Sequence, residues 1–402
     1  MTRLSAGASP SRSLPCSEVR IVSPNFSGLD SQADDEFLTQ GPAEAGRTGG
    51  SNSAESLISR RVERTTSYRA ARSAVPRTIV PTTASSILTG RGCCLDRRAM
   101  IEKFSVSEVT TLHASFEEDM QLRVAAGIGG MGIWEAKLPT GLDPSSIASF
   151  YQTGLRATLC LPVVTSIFPT PTSPEPSDPT ERVNLICASV RRLAPFDPVA
   201  VVCQTGDAEG PDSDARNHVV RGLRRIVREA ANASHRPITV AIEPSNAAAG
   251  GPWSIVHSIS ESVALIDEVN EPNLGIVLDL WHTGVSSLLL GDIHNSVEHI
   301  VGVQLSDRRD PTRSWCDRVR PGAGTLDIRE TIEALTASGY RGWYDLEIYS
   351  DDGTFGTEFA DSLWNRPAVD LLAESKQWFR TIWQSQTLRA TDADVGDPDP
   401  KL

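Results

Sequence analysis

Four hydrophobic runs in the second half of the chain each lead into a polar side chain. The polar residues are Glu243, Asp279, Gln304 and Glu347, which are separated by 36, 25 and 43 positions. Such runs predict buried strands of a parallel sheet, because these strands are covered on both faces. Each gap accommodates one strand and one helix. The pattern therefore predicts an alternating β/α fold with polar residues at the C-terminal ends of its strands.

The same alternation extends back to about residue 100. Further strands are predicted at 104–111, 131–135, 157–164 and 199–204. Helices are predicted near 115–127, 146–154, 214–232, 255–270, 286–299, 326–338 and 368–386. A total of about eight strands and eight helices is typical of one (β/α)8 TIM barrel. A doubly wound open sheet would need a glycine-rich phosphate turn after its first strand, and the sequence has none.

The ends of the chain differ from this core. Residues 1–99 contain arginine but no lysine, show no sustained hydrophobic period, and are rich in Ser, Ala, Thr, Gly and Pro. Such a segment buries too little apolar surface to offset its ordering entropy. We interpret it as a disordered extension, or as sequence preceding a true start at Met100. Residues 100–386 form the predicted single-domain barrel, and 387–402 a flexible acidic tail.

Composition excludes several classes of protein. The net charge is −13, whereas a nucleic-acid surface requires a basic face. No apolar run reaches the roughly 20 residues of a membrane span. The seven cysteines form no CxxC pair, which favours free thiols and a cytoplasmic protein. We expect a small-molecule ligand, neither a nucleic acid nor a membrane, and a homo-oligomer is compatible with the sequence.

The four polar residues predict a metal site. Parallel strands of a barrel bring their C-terminal ends to one mouth, where chemistry occurs in this fold. Three carboxylates and an amide placed there repel one another unless a positive charge lies between them. Since Glu243, Asp279, Gln304 and Glu347 all offer oxygen, we expect one divalent ion, Mn²⁺ or Mg²⁺ first, with Co²⁺ or Fe²⁺ also acceptable.

Neighbouring residues are candidates for binding a substrate. His282 follows Asp279 by three positions and would bind the metal, bind a substrate oxygen, or simply cap the strand. Trp134, Glu135 and Lys137 end the second strand, where the alternative for Glu135 and Lys137 is a surface ion pair. Arg308 follows Gln304. One arginine of the next loop is also expected to grip a substrate oxygen, from the set Arg309, Arg313, Arg318 and Arg320.

A family resemblance rests on five short motifs. They are Ile242-Glu-Pro244, Leu278-Asp-Leu-Trp-His282, Val303-Gln-Leu-Ser-Asp307, Arg320-Pro-Gly-Ala-Gly324 and Tyr344-Asp-Leu-Glu347. In order and spacing they resemble the xylose isomerase-like TIM-barrel superfamily, which includes sugar isomerases and epimerases, inosose dehydratases, hydroxypyruvate isomerases and the AP endonuclease 2 type.

This resemblance implies roles for the four polar residues. Glu243, Asp279, Gln304 and Glu347 would be the metal ligands, and Glu243 and Glu347 the acid–base pair on opposite faces of the substrate. Many members have His where this chain has Gln304, and the hydroxypyruvate isomerase-like members share the Gln.

The expected function is a metal-dependent sugar isomerase or epimerase. It would act through a cis-enediolate on a small ketose, aldose or polyol-derived ketone. The alternative is a lyase that dehydrates an inosose or keto-sugar at the same site. A DNA endonuclease would need extra histidines at the mouth, and a barrel without catalytic activity would not need the complete ligand set.

Overall fold

The structure of the chain is a computed structural model. The structure describes residues 99–141, 143–207, 214–246 and 253–393, with side chains up to residue 384. The predicted N-terminal disorder therefore lies outside the described residues, apart from residue 99. The last helix runs to Ala393, beyond the predicted boundary at 386. No helix among the described residues is long and apolar enough to cross a membrane.

The central feature is a parallel sheet of nine strands. In chain order they are β1 (Phe104–Ser107), β2 (Gly130–Gly132), β3 (Arg156–Ala157), β4 (Leu159–Cys160), β5 (Ala200–Cys203), β6 (Thr239–Ile242), β7 (Leu274–Asp279), β8 (Ile300–Leu305) and β11 (Trp343–Leu346). Two further strands, β9 (Asp307–Arg308) and β10 (Arg318–Val319), form an antiparallel hairpin.

The order of the strands closes the sheet into a barrel. It is β3-β2-β1-β11-β8-β7-β6-β5-β4. Its two ends, β3 and β4, are consecutive in the chain and separated by Thr158 alone. The Thr158 N–H donates to the Met131 carbonyl at 2.9 Å, and the Thr158 carbonyl accepts from the Ala200 N–H at 3.1 Å. The predicted (β/α)8 barrel is therefore confirmed.

Helices surround the barrel. They are α1 (Phe116–Ala125), α2 (Asp143–Thr153), α3 (Pro179–Leu193), α4 (Ala215–Asn232), α5 (Ile259–Val269), α6 (Leu280–Thr283), α7 (Ser287–Ser296), α8 (Ile328–Ala337) and α9 (Ala368–Ala393). The predicted start of the first helix is confirmed, because Ser115 and Glu118 form a capping box. Helix α3 was not predicted. Its start is marked by Asp178, which accepts from the Thr180 N–H at 2.7 Å, and by Pro179.

Side chains alternate between the helix layer and the barrel interior. The interior is filled by a small apolar cluster that includes Leu159, Ala200, Val202, Ala241 and Val277. Gly302 faces this cluster, and a Cβ there would lie 2.5 Å from a Leu159 methyl group. Ala241 and Val277 precede Glu243 and Asp279 by two positions. Because side chains on a strand alternate, the apolar interior forms a floor below these carboxylates.

Four cysteines are free and buried, as the prediction of reduced thiols requires. They are Cys160, Cys187, Cys203 and Cys316. Burial raises the pKa of Cys160 and of Cys203 to about 12. These thiols are therefore held in their neutral form and act as small apolar side chains. The remaining cysteines, at 16, 93 and 94, lie outside the described residues.

Candidate active site

The four polar residues lie at the C-terminal ends of adjacent barrel strands. Asp279 ends β7 and is the register partner of Gln304 on β8. Glu243 directly follows β6, and Glu347 directly follows β11. All four are almost completely buried. The Gln304 amide donates to Glu347 Oε1 at 2.7 Å, so β8 and β11 bring their side chains together as the strand pattern predicts.

A guanidinium group lies between the carboxylates. Arg318 Nη1 is 2.8 Å from Asp279 Oδ2 and 3.2 Å from Glu347 Oε2. Its carbon lies 4.9 Å from the ring centres of both Trp281 and Tyr349. Although burial opposes the charge on Arg318, the two carboxylates hold its pKa above the ordinary value. Arg318 is therefore a buried cation in the middle of the predicted metal ligands.

The hairpin β9–β10 explains how Arg318 arrives there. Arg318 is the strand register partner of Arg308 across the hairpin, and the backbone N–H of Arg318 donates to the Tyr349 carbonyl at 2.8 Å. Asp307, at the base of the hairpin, accepts from the N–H groups of Gly322 and Gly324 at 2.9 and 3.0 Å. The sequence predicted that one arginine of this loop grips a substrate oxygen, without identifying which one. The structure brings Arg318 to the carboxylates of the site, and its contact with a substrate stays a prediction.

His282 lies beside this cluster as a neutral imidazole. Its Nε2 is 3.8 Å from Glu243 Oε1 and 3.8 Å from Asp279 Oδ2. Arg318 Nη2 lies 3.3 Å from the same nitrogen, while Nδ1 is 3.1 Å from Ser245 Oγ. Since a guanidinium only donates, Nε2 is the acceptor. Burial lowers the pKa of His282 to about 4, which leaves Nε2 able to bind a cation.

Burial also changes the acidity of the two glutamates. It raises the pKa of Glu243 to about 8, with a further increase from neighbouring Asp279. The pKa of Glu347 is raised well above its usual value by burial, against an opposing effect of Arg318. A carboxyl group with a pKa near neutrality, as that of Glu243 is, can serve as a general acid or base.

One further residue was missed by the sequence reasoning. Gln204 follows β5, and its amide donates to Glu243 Oε2 at 2.6 Å. The signal was present, because Gln204 is also a polar residue at the end of an apolar run. It fixes the orientation of the Glu243 carboxylate.

The donor set fits a divalent cation. Ligand atoms of Glu243, Asp279 and His282 lie within 4.8 Å of one another. Gln304 Oε1 is buried and has no hydrogen-bond partner among the described residues. An orphaned amide oxygen beside carboxylates and an imidazole is a ligand set that Mn²⁺, Mg²⁺, Fe²⁺ or Zn²⁺ can accept.

The other predicted substrate-binding residues have partners away from this cluster. Lys137 Nζ contacts Asp119 Oδ2 at 2.5 Å and the Thr111 carbonyl at 2.9 Å. Glu135 accepts from the Val163 N–H at 3.0 Å. The backbone N–H of Trp134 donates to Glu108 Oε2 at 2.8 Å. These contacts connect the loops after β1, β2 and β4 to one another.

Arg308 is likewise placed by the hairpin. Arg308 lies on β9 and is half-buried. Its guanidinium packs close to Gly284, since a Cβ added there would lie 3.3 Å from Arg308 Nη2. Among the described contacts, Arg318 and His282 join the cluster, whereas Arg308, Lys137, Glu135 and Trp134 do not. A role for these four in binding substrate stays a prediction.

Aromatic rings cover the cluster. Trp253 lies 5.4 Å from His282 and 5.5 Å from Trp315, measured between ring centres. Trp315 in turn lies 5.9 Å from Tyr349 and 5.4 Å from Phe355. The cavity beneath has a volume of only about 20 Å³. A ligand larger than a water molecule or a bare ion therefore needs Arg318 or a covering side chain to move before it can bind.

Comparison with known proteins identifies the class. The family model for xylose isomerase-like TIM barrels matches residues 123–382, and the chain belongs to this family. A solved structure entitled IOLI protein with a binding zinc atom shares the fold, with a TM-score of 0.56 and 18% identity over 70% of this chain and 98% of that one.

Two curated relatives show where the similarity lies within the family. The chain is 24% identical to the inosose isomerase of Halalkalibacterium halodurans over 25% of its own length and 37% of the relative. It is 26% identical to a provisionally named hydroxypyruvate isomerase of Streptomyces coelicolor over 38% of its own length and 53% of the relative. The matched regions thus span about half or less of these relatives.

Proposed function

We propose that the protein is a divalent-metal-dependent isomerase or epimerase of a small ketose, aldose or polyol-derived ketone. The observation that carries the proposal is the pair of buried glutamates, Glu243 and Glu347, on either side of a cluster that also holds Asp279, His282 and an orphaned Gln304 oxygen. Membership of the family and the names of its sugar-converting relatives support the same reaction class.

The ligands in this proposal are Glu243, Asp279, Gln304 and Glu347, with His282 as an additional nitrogen donor. A divalent cation bound there would polarise a substrate carbonyl and so acidify the neighbouring C–H. We expect Mn²⁺ or Mg²⁺ because the donors are mainly oxygen. The buried free thiols agree with a reducing compartment, and we propose a cytoplasmic location.

The protein side chains then perform the proton transfer. One glutamate in its ionised form removes the proton from carbon, giving a cis-enediolate. The Arg318 guanidinium, already directed at the cluster, stabilises the negative charge on its oxygens. Return of the proton to the neighbouring carbon gives an isomer. Return by the second glutamate on the opposite face gives an epimer.

Turnover in D₂O tests the proposal. A panel of ketoses, aldoses and inososes is incubated with the protein and Mn²⁺, Mg²⁺ or Zn²⁺, and the products are analysed by NMR. Incorporation of solvent deuterium at one carbon is expected. Glu243→Gln and Glu347→Gln should each lower the rate by about 10²–10⁴-fold.

Glu374→Gln is the matched control, because Glu374 is a more exposed glutamate of α9 that pairs with Arg366. It should leave the rate unchanged. Wild-type rates in both site variants would refute the assignment of the glutamates. Loss of water from the substrate would instead identify a lyase.

A further inference from the structure

Backbone contacts anchor Trp253 at the edge of the candidate site. Its carbonyl accepts from the Gly206 N–H at 3.1 Å. The next residue, Ser254, is bridged to Gly206, and its hydroxyl is 3.0 Å from Thr205 Oγ1. The backbone is thus attached to the end of β5. The indole ring packs on His282 and Trp315, so its orientation is fixed as well.

The indole N–H of Trp253 has no acceptor among the described residues, although the side chain is 97% buried. Buried tryptophans usually satisfy this donor. Trp364 shows the usual arrangement, since its N–H donates to the Ile348 carbonyl at 3.2 Å. A buried donor without an acceptor is unfavourable, so a partner that supplies one gains affinity.

The position of Trp253 distinguishes it from the other orphaned indoles. Trp281 and Trp383 also lack acceptors among the described residues, but neither lines the central cavity. Trp253 lines it together with Glu243, His282, Arg318 and Glu347. A molecule bound to these residues therefore lies next to the indole ring of Trp253.

We infer that the Trp253 N–H donates a hydrogen bond to a substrate hydroxyl that takes no part in the reaction. The inference rests on the proposed function. Carboxylate and amide oxygens at the cluster serve the cation and the reacting carbons, whereas the indole offers only a donor. Because it needs an oxygen beyond the reacting pair, this contact selects a polyhydroxylated ketone. The adjacent rings of Trp315 and Tyr349 provide apolar surface for the carbon face of such a molecule.

Trp253→Phe tests the inference because it keeps an aromatic ring and removes the N–H. The probes are scyllo-inosose, D-fructose and the monodeoxy analogues of each. Their dissociation constants are measured by calorimetry with the Mn²⁺-loaded wild-type and variant proteins. We expect the variant to bind the preferred parent about three- to tenfold more weakly. It should bind one deoxy analogue as well as the wild type does.

Two further measurements separate specificity from structure. The Mn²⁺ affinity and the melting temperature of Trp253→Phe should stay close to wild type. In NMR spectra of the wild-type protein labelled with ¹⁵N-tryptophan, the Trp253 indole resonance is the one that the variant lacks. This resonance should move downfield when the parent probe binds. Trp315→Phe is the matched control, and it should weaken the parent and all deoxy analogues alike.

Three results would overturn the inference. They are an unchanged affinity of Trp253→Phe for the parent, an equal loss for every analogue, and failure of all polyhydroxylated probes to bind the wild-type protein. Deuterium incorporation is measured separately on the same protein. A protein that binds a probe through Trp253 but exchanges no deuterium therefore refutes the proposed reaction and leaves the binding contact intact.

Discussion

Arg318→Met should destabilise the metal-free protein and strengthen metal binding. The substitution removes the cation that lies 2.8 Å from Asp279 and 3.2 Å from Glu347. Loss of one partner from a buried ion pair costs about 3–5 kcal/mol, because the remaining charge stays buried. For a barrel of this size, that corresponds to a fall in melting temperature of about 6–10 °C.

The size of this effect should depend on pH. Burial raises the pKa of Glu243 to about 8 and that of Glu347 well above its usual value. At pH 6 Glu243 is protonated, which reduces the repulsion among the carboxyl groups when Arg318 is absent. The loss of stability should therefore be smaller at pH 6 than at pH 8, as measured by calorimetric unfolding in the presence of a chelator.

Metal binding provides the second measurement. In Arg318→Met no guanidinium group competes with a divalent cation for the carboxylates. The affinity of the protein for the cation should therefore rise about tenfold or more, equivalent to about 1.4 kcal/mol. Isothermal titration with Mn²⁺ measures this. Arg318→Lys keeps a positive charge and should therefore change the Mn²⁺ affinity less. Arg309→Met is the control, because it removes an arginine that is one-third exposed and paired with Asp317 and Asp361. The reasoning is refuted if Arg318→Met unfolds and binds Mn²⁺ like the wild type.

Three other predictions concern acidity and packing. The affinity for Mn²⁺ should rise from pH 6 to pH 8, because the cation must displace the proton that Glu243 retains with its pKa of about 8. The rise should be up to about tenfold per pH unit for each proton released. An affinity that does not change with pH would contradict this prediction. Burial raises the pKa of Asp345 to about 7. Between about pH 4 and pH 7 this carboxyl group is therefore protonated in the folded state and ionised in the unfolded state. The free energy of unfolding consequently falls as the pH rises toward 7. Asp345→Asn should remove this fall, so that the variant gains up to about 4 kcal/mol relative to wild type between pH 4 and pH 7 in denaturant titrations, and parallel curves would contradict it. Lys137→Met should destabilise the protein by about 1–3 kcal/mol, because it removes one of the two cations on buried Asp119 and leaves the other, Arg123, in place. A raised KM without loss of stability would instead support the predicted contact with substrate.

The barrel and the positions of its polar residues were accessible from sequence because both follow local rules. A buried parallel strand reads as an apolar run, and a residue that ends it lies at the mouth whatever the rest of the chain does. Glu243, Asp279, Gln304 and Glu347 were found in this way. Gln204 follows the same rule.

The remaining features depend on long-range geometry. Arg318 enters the cluster because β9 and β10 fold back as a hairpin, and four nearby arginines were equivalent without that fold. The contact of Lys137 with Asp119 on the preceding helix likewise depends on how distant segments pack. Helix α3 was missed because the proline-rich segment before it obscured its start at Pro179.

Arg318 also bears on how the protein is made and maintained. Small zinc domains cannot fold until their metal arrives, because the free energy of metal binding supplies their free energy of folding. In this barrel, a side chain from the same polypeptide neutralises part of the acidic mouth from the moment the hairpin forms. If the proposed cation binds at this mouth, newly synthesised chains would fold in a metal-poor cell and be loaded later, and a chelator would leave a folded scaffold that accepts the ion again.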